Sequence, residues 1–311
     1  MKIKPLTVGN TRIDGNVFLA PIAGYTDLAF RTLAISLGAP LTFTELVSAK
    51  GLCYGGEGSI SLIKTSDYSK SSVQLFGSEP EFIKRAAESE LLKDYNLIDI
   101  NMGCPVPKVF KNGEGSALLL DIKKAEKVVR AAVSSGKTVS IKIRTGQKQG
   151  DDVSQDFAKM AEQAGAAFVT IHARVREAYY SGEPDYNAIY KAKLAVKIPI
   201  IANGGIFTEK DADQMIDKTG ADGVMIARGA LFDPLLISKI VKKEPSLSFK
   251  QVIFKHLDLL KRAEGENRAA VLFRKFITYY LKGIKGNKVL RAKIMTAENT
   301  IEIKNFLSEI L

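Results

Sequence analysis

Residues 198–230 have the sequence IPIIANGGIFTEKDADQMIDKTGADGVMIARGA, and this stretch contains the unit that decides the fold. The apolar runs Ile198–Ala202 and Gly223–Ala227 predict two strands, and Thr208–Lys218 between them predicts a helix that ends before Gly220. Both runs are apolar throughout, which is typical of parallel strands covered on both faces. The stretch therefore predicts a strand–helix–strand unit with parallel strands.

The same alternation extends upstream to the start of the chain. Six further runs predict strands, namely Val17–Ala20, Leu41–Thr44, Ser72–Phe76, Leu97–Asn101, Thr138–Ile143 and Phe168–His172. The segments between them predict helices over Thr26–Leu37, Glu79–Leu92, Ser116–Ser134, Asp151–Ala164 and Asp185–Val196. Eight strands alternating with helices favour an α/β fold of the (β/α)8 TIM-barrel type, which is typically ~250 residues long. An open, doubly wound sheet is the alternative.

The C-terminal part of the chain has no strand-like runs. Amphipathic helices are predicted instead, over Phe249–Ala263, Asn267–Leu281 and Ala297–Leu311. The polar segment Lys242–Pro245 precedes them and is typical of a domain boundary. We therefore expect a catalytic barrel over residues 1–242, followed by a small helical bundle over residues 243–311.

The positive charge of the chain is concentrated in this C-terminal part. Residues 243–311 contain 14 Lys and Arg against 7 Asp and Glu, so they carry +7 of the formal net charge of +11. A solvated lysine-rich surface is one interpretation. The other is a phosphate-rich partner such as RNA, which clustered Lys and Arg bind by releasing counterions.

Cysteine content and hydropathy argue against a disulfide-stabilised, metal-binding, secreted or membrane protein. The two cysteines, Cys53 and Cys104, form no CxxC pair, so we expect neither a disulfide framework nor a metal site. The first fifteen residues contain no long apolar run and do not resemble a signal peptide. The apolar runs are too short to span a bilayer. We expect a cytoplasmic protein that does not enter a membrane.

A cysteine follows the fourth predicted strand, in the segment Asp99-Ile100-Asn101-Met102-Gly103-Cys104-Pro105. Active-site groups of (β/α)8 barrels lie at the carboxyl ends of the strands. A buried structural cysteine would more often lie within an apolar run. Cys104 is therefore a candidate catalytic residue, either as a proton donor or acceptor at carbon or as a nucleophile.

Other strand ends carry groups suited to a flat, phosphorylated ligand. Pro21 and Ala23 are small residues against which a planar ring can lie, and the third strand contains the amide of Gln74. Lys142 lies within an apolar run, where a lysine is costly to bury unless an anion or an electron-rich ring meets it. His172 is followed by Arg174 and Arg176, which indicates an anion-binding mouth.

The loops after strands seven and eight contain the features of a phosphate site. They carry Asn203, Gly204 and Gly205, and then Arg228 and Gly229. Exposed backbone amides contact a phosphate at this place in the fold, and an arginine matches its charge. No dinucleotide fingerprint follows the first strand. Flavin mononucleotide (FMN) fits this pattern better than a tightly held dinucleotide.

Taken together and in order, these motifs resemble those of the tRNA-dihydrouridine synthase family over nearly the whole chain. The matching segments are Ala20–Asp27, Asn101–Pro105, Lys142–Arg144, His172–Arg174 with Tyr180–Gly182, Asn203–Ile206, Met225–Ala230, and Phe273–Phe276 with Tyr279 and Tyr280. The resemblance implies an enzyme that reduces the C5–C6 double bond of uridines in tRNA with FMN, which is itself reduced by NADPH.

The resemblance also implies roles for individual residues. Cys104 would be the general acid. The cofactor would be bound by Pro21, Ala23, Gln74, Lys142, His172, Asn203, Gly204, Gly205, Arg228 and Gly229. The RNA substrate would be bound by Asn101, Arg144, Arg174 and Arg176. We expect a monomer whose basic helices hold the tRNA. A flavin-dependent oxidoreductase of free pyrimidines, such as dihydroorotate or dihydrouracil, is the alternative; a non-catalytic RNA-binding barrel is a third possibility.

Overall fold

The computed structural model describes residues 1–243, 247–284 and 286–309. Two short strands form an N-terminal antiparallel hairpin, β1 (Leu6–Val8) and β2 (Thr11–Ile13). The strands that follow are parallel and form one sheet: β3 (Val17–Leu19), β4 (Thr42–Phe43), β5 (Val47–Ser48), β6 (Ser71–Phe76), β7 (Leu97–Met102), β8 (Thr138–Arg144), β9 (Phe168–His172), β10 (Ile200–Asn203) and β11 (Gly223–Ile226).

The sheet closes into a barrel because β3 pairs with both β11 and β4, and β4 pairs with β6. The second position of the barrel is shared by β4 and β5, both of which pair with β6. Within residues 1–243, eight strand positions therefore surround the axis. The prediction of a (β/α)8 barrel is confirmed, and the open-sheet alternative is wrong.

Helices cover the outside of the barrel. Their bounds are α1 (Leu28–Ser36), α2 (Ala49–Cys53), α3 (Glu57–Leu62), α4 (Pro80–Ala87), α5 (Pro107–Lys111), α6 (Ile122–Val133), α7 (Ser154–Gln163), α8 (Tyr186–Ala195), α9 (Glu209–Thr219), α10 (Arg228–Phe232) and α11 (Leu236–Ile240). Local capping explains several of these bounds. Thr208 and Asp211 form a capping box at the start of α9, and Gly220 ends this helix with a positive φ of 63°.

Two observed helices are shorter than predicted, because a polar side chain within each predicted segment caps a new helical turn and so ends or begins the helix there. Asp121 accepts a hydrogen bond from the backbone of Lys124 and caps α6, so Gly115–Leu120 forms a separate 3-10 turn. Ser89 similarly caps a 3-10 turn over Glu90–Leu92 after α4. The glycine-rich segment around Cys53, which suggests a loop in the sequence, instead contains α2 and α3.

Four helices follow the barrel: α12 (Phe249–Glu264), α13 (Glu266–Tyr280), α14 (Asn287–Thr296) and α15 (Thr300–Ser308), counted within the described residues. The last two residues of the helix predicted over Ala297–Leu311 lie outside the described part. Phe30 of α1 stacks on Phe276 of α13 with ring centroids 5.6 Å apart, and His256 of α12 contacts both rings. The helical region therefore packs directly against the barrel.

Among the residues that the structure describes, no helix combines the length and apolar character needed to cross a bilayer.

Candidate active site

A cavity of about 260 Å³ opens at the carboxyl ends of the barrel strands. Thirteen of the residues predicted from the sequence line it, and they come from six strand ends: Pro21, Ala23, Asn101, Cys104, Lys142, Arg144, His172, Arg174, Asn203, Gly204, Gly205, Arg228 and Gly229. Cys104 and Arg228, which are far apart in the sequence, therefore line the same cavity. This convergence follows from the parallel sheet, because all its strands end on the same side.

Cys104 lies in the loop after β7 with 9% of its surface exposed. Its backbone N–H donates to Asn101 Oδ1 (2.9 Å), and its carbonyl accepts from Ser116 Oγ (2.7 Å). Burial raises the pKa of the thiol, although the Val106 N–H and the charge of Arg144 act in the opposite direction. The thiol is thus held in a fixed loop and stays protonated near neutral pH, as a proton donor requires.

A chain of hydrogen bonds inside the barrel sets the direction of the Asn101 amide. Asp99 is fully buried, and its two carboxylate oxygens accept from Ser140 Oγ and Gln74 Nε2, each at 2.6 Å. Gln74 Oε1 then accepts from Asn101 Nδ2 (2.9 Å), which leaves Asn101 Oδ1 to accept from the Gly103 and Cys104 amides. The Asp99 carboxylate can only accept hydrogen bonds, so it fixes the orientation of the Gln74 amide and, through it, that of the Asn101 amide. We call this chain the polar relay.

Lys142 projects from β8 and is half-buried, with its Nζ donating to Asn203 Oδ1 (3.0 Å). Its pKa is lowered to about 7, chiefly by burial and also by the charge of Arg144, while Asp99 opposes this shift. His172 on β9 is buried; burial and the charges of Lys142 and three arginines lower its pKa well below the usual value. His172 is therefore neutral, and Lys142 is poised to become a full cation when an anion binds.

The arginines of the cavity are held by backbone carbonyls. Arg144 donates to the carbonyls of Gly103 (2.9 Å), Val175 (3.0 Å) and Tyr179 (2.8 Å). Arg174 donates to those of Ser181 (2.9 Å) and Gly182 (2.7 Å), and Arg228 donates to that of Tyr180 (3.2 Å). No carboxylate is among the described residues that line the cavity. The guanidinium charges are thus available to an anionic ligand.

The loop after β10 leaves room for such a ligand beside Arg174. Nη1 of Arg174 is buried and has no hydrogen-bond partner among the described residues. Gly204 has a φ of 121°, and a Cβ at this position would lie 3.0 Å from that same Nη1 and 3.1 Å from the His172 ring. A buried, unpartnered donor next to a glycine is what a phosphate group requires. These residues therefore fit the phosphate of a flavin mononucleotide.

Two predicted site residues do not line the cavity. Gln74 is fully buried and contacts Asp99 and Asn101, so it belongs to the polar relay behind the wall. Arg176 stacks on Phe110 with its guanidinium carbon 3.8 Å from the ring centroid. Its side chain points away from the cavity that Arg174 faces, although it is only two residues further along the loop.

Aromatic residues that the sequence analysis did not assign also line the cavity. Tyr25 and Tyr279 meet at the mouth, with their hydroxyl oxygens 3.4 Å apart. Tyr180 lies between two guanidinium groups, 5.8 Å from Arg144 and 4.9 Å from Arg228. All three tyrosines lie within the segments that carry the resemblance, and this position was the signal that could have identified them. Tyr279 comes from α13, and its sequence does not reveal which barrel loop it meets.

His256 and Cys53, to which the sequence analysis assigns no role, both lie outside the cavity. His256 is fully buried among Phe30, Phe273, Phe276 and Tyr280, and its Nδ1 lies 2.8 Å from the Tyr280 hydroxyl. It therefore packs in the core and does not reach an RNA surface. Cys53 ends α2, half-buried, with its Sγ 3.5 Å from the carbonyl of Phe82.

The fold and the cavity define a class: a (β/α)8 barrel with a cavity at the carboxyl ends of its strands, whose arginine-rich lining suits an anionic ligand. The particular family follows from comparison with known proteins. The family model "Dihydrouridine synthase (Dus)" matches residues 18–311. The chain belongs to the dihydrouridine synthase family, and the tRNA-dihydrouridine synthase activity that the motifs predict is confirmed at that level. Family membership implies a flavin cofactor and tRNA as the substrate.

The similarity to curated relatives extends over whole chains. A probable tRNA-dihydrouridine synthase of Rickettsia conorii is 34% identical, over 98% of this chain and 96% of the relative. tRNA-dihydrouridine synthase B of Pasteurella multocida is 35% identical, over 98% and 97%. Among solved structures, an old yellow enzyme homologue from Zymomonas mobilis superposes with a TM-score of 0.53 at 13% identity, over 78% of this chain and 92% of that one. That likeness shows the barrel fold.

Proposed function

We propose that this chain binds FMN in the cavity, takes its reducing equivalents from NADPH, and reduces a uracil of tRNA with Cys104 as the general acid. One observation carries the proposal: a buried, protonated thiol lines the same cavity as several arginines that have no carboxylate partner in the described part of the chain. The thiol suits protonation of a carbon atom, and the arginines suit the phosphate of the flavin.

The position of each residue in the cavity suggests which part of the cofactor it would contact. Gly204, Gly205, Gly229 and Arg228 would hold the cofactor phosphate. Arg174 faces the same loop through its free Nη1, so we assign it to that phosphate and not to the RNA. Pro21, Ala23, Lys142 and His172 would contact the flavin ring; Asn203 would orient Lys142. When bound, the flavin supplies the redox step, carrying hydride from NADPH to C6 of the uracil.

Asn101 and Arg144 lie beside Cys104 and would bind the uracil. Arg144 touches the Gly103 carbonyl, directly before the cysteine, and Asn101 holds the cysteine amide. With the base in this position, the Cys104 thiol would give its proton to C5 of the uracil. The uridine must leave its stack to reach the cavity. The double bond then gains one hydride and one proton, which completes the reduction.

The helical region would hold the body of the tRNA, because residues 243–311 carry most of the net positive charge. The division into a barrel over 1–242 and an RNA-binding region over 243–311 stays a proposal. Arg176 lies outside the cavity and stays a candidate for contact with RNA beyond the flipped base. We further propose that the protein acts as a monomer in the cytoplasm, whose reducing conditions keep Cys104 a thiol.

The test uses the purified protein loaded with FMN. We expect NADPH to bleach the flavin absorbance and unmodified tRNA to restore it anaerobically, with dihydrouridine formed in the RNA in equal amount. Free uracil and free orotate should not restore the absorbance. Oxidation by a free pyrimidine but not by tRNA would favour the alternative function and contradict the proposal.

A further inference from the structure

An aromatic shelf lies beside the mouth of the active-site cavity and is formed by Phe207, Phe232, Tyr279 and Lys282. Phe207 follows β10, Phe232 ends α10, and the other two come from the end of α13 and the turn after it. The ring centroids of Phe207 and Phe232 are 5.9 Å apart, and those of Phe232 and Tyr279 are 5.0 Å apart. The barrel and the helical region thus build this surface together.

The shelf continues directly from the active site. Phe207 and Tyr279 line both the shelf and the cavity. Phe207 is 39% exposed, which is unusual for a phenylalanine, and it contributes apolar surface just outside the cavity. Singly exposed apolar side chains are common, but a cluster of three rings at the edge of an active site indicates a binding surface.

Cations flank the rings on both sides. Lys282 Nζ lies 4.4 Å from the centroid of Phe232, and the Arg228 guanidinium carbon lies 5.7 Å from that of Phe207. No Asp or Glu is among the described residues that line the shelf. Aromatic faces bordered by cations match a ligand with a flat ring and a nearby negative charge.

We propose that the aromatic shelf binds a nucleobase of the RNA, adjacent in sequence to the uridine that enters the cavity. The inference rests on the proposed function. A neighbouring base is joined to the flipped uridine by one phosphodiester, so it must lie close to the mouth. Stacking on the rings accepts any base, and Lys282 is placed to meet the backbone phosphate. The shelf thereby helps to hold the distorted strand open.

The experiment compares KM for an unmodified tRNA transcript, measured by dihydrouridine formation at saturating NADPH. Phe232→Ala removes a shelf ring that does not line the cavity, and should raise KM on the order of tenfold with little change in kcat. Phe232→Tyr retains the ring and should keep KM near the wild-type value. Lys282→Gln should raise KM less and weaken its dependence on salt. Tyr190→Ala, on the outside of α8, is the matched control and should leave KM unchanged.

A second measurement separates the RNA from the reductant. The rate of flavin reduction by NADPH without RNA should be the same in wild type and Phe232→Ala. If Phe232→Ala slows this step and leaves the KM for tRNA unchanged, the shelf holds the nicotinamide and the proposal is overturned. An unchanged KM in both Phe232→Ala and Lys282→Gln would also overturn it. Because wild-type turnover is measured in the same assay, these results are distinct from a failure of the proposed function.

Discussion

At the amino ends of the barrel strands the interior is filled by rings, whereas at the carboxyl ends it is filled by amides and charges. Phe18 packs against Phe43 and Phe168 with centroids 6.3 and 6.0 Å away, and the N-terminal hairpin covers them with Leu6, Val8 and Ile13. Nearer the carboxyl ends, on β6 to β9, the interior contains the polar relay, Lys142 and His172. One end of the barrel therefore stabilises the fold, and the other end uses that stability to bury polar groups for chemistry.

The largest effect is expected from the thiol at the carboxyl end. Cys104→Ala should lower the rate of uridine reduction by roughly 10²–10⁴-fold, because a general acid contributes about that much. Flavin binding and flavin reduction by NADPH should be unchanged. Rapid-mixing kinetics of the reduced enzyme with tRNA measure this rate. Cys53→Ala, which removes a thiol that does not line the cavity, is the control; equal rates in wild type and Cys104→Ala would refute the acid role.

A substitution in the ring cluster at the amino ends should lower the stability of the fold and leave the active site unchanged. Phe18→Ala should lower the free energy of unfolding by about 3–5 kcal/mol, because a fully buried ring is replaced by a cavity. Denaturant unfolding provides the measurement, and FMN affinity of the folded variant should stay at the wild-type value. Phe18→Leu fills more of the space and should cost less. A variant as stable as wild type would show that the rings do not form the structural end of the barrel.

The polar relay belongs to the carboxyl end, and a substitution of Asp99 tests it. Asp99→Leu leaves Gln74 and Ser140 without an acceptor, which should cost about 1–3 kcal/mol of stability and free the Asn101 amide to rotate. We expect kcat for uridine reduction to fall on the order of tenfold, since about 1.4 kcal/mol in the barrier suffices for this.

Asp99→Asn should restore most of that loss. Its amide oxygen can face Gln74, while its NH₂ group donates to the Ser140 hydroxyl, so the direction of the relay is kept. If the Asn and Leu variants are equally slow, the negative charge of Asp99 matters and the direction of the hydrogen bonds does not.

The smallest expected effect is on the pH dependence of FMN affinity. The pKa of Lys142 is about 7 in the flavin-free protein, and a bound anion should raise it by favouring the cation. Binding then takes up a proton between the two pKa values, so the contribution of Lys142 to the affinity should be constant below pH 7 and be lost as the pH rises above it. Quenching of flavin fluorescence measures this, and Lys142→Met should flatten the profile. An affinity that rises above pH 7 would contradict the assignment.

The barrel could be predicted because each buried strand leaves a continuous apolar run in the sequence. The N-terminal hairpin escaped notice since each of its strands has three residues, too few for a periodic pattern. The helix breaks at Ser89 and Asp121 were not predicted for a related reason. A side chain that can cap a helix can also lie inside one, and the sequence pattern alone does not show whether the helix continues or ends at such a residue.

The site could be predicted as far as the strand-end rule extends. The rule placed these side chains around one cavity, but it did not say which way each one points. Gln74 was expected to contact the cofactor, yet it turns toward Asp99; Arg176 turns toward Phe110. Tyr279 depends on how α13 docks on the barrel, which is a long-range packing outcome that a helical pattern does not encode.

The central claim is that the carboxyl-end cavity binds the flavin phosphate, and a pair of arginines from one loop tests it most directly. Equilibrium titration with FMN should show that Arg174→Gln weakens binding by about tenfold or more, since hydrogen bonds to charged groups contribute about 1.5–3 kcal/mol. Arg176→Gln, two residues further along but outside the cavity, should bind FMN like the wild type. Equal affinities in all three proteins, or a loss confined to Arg176→Gln, would contradict the account.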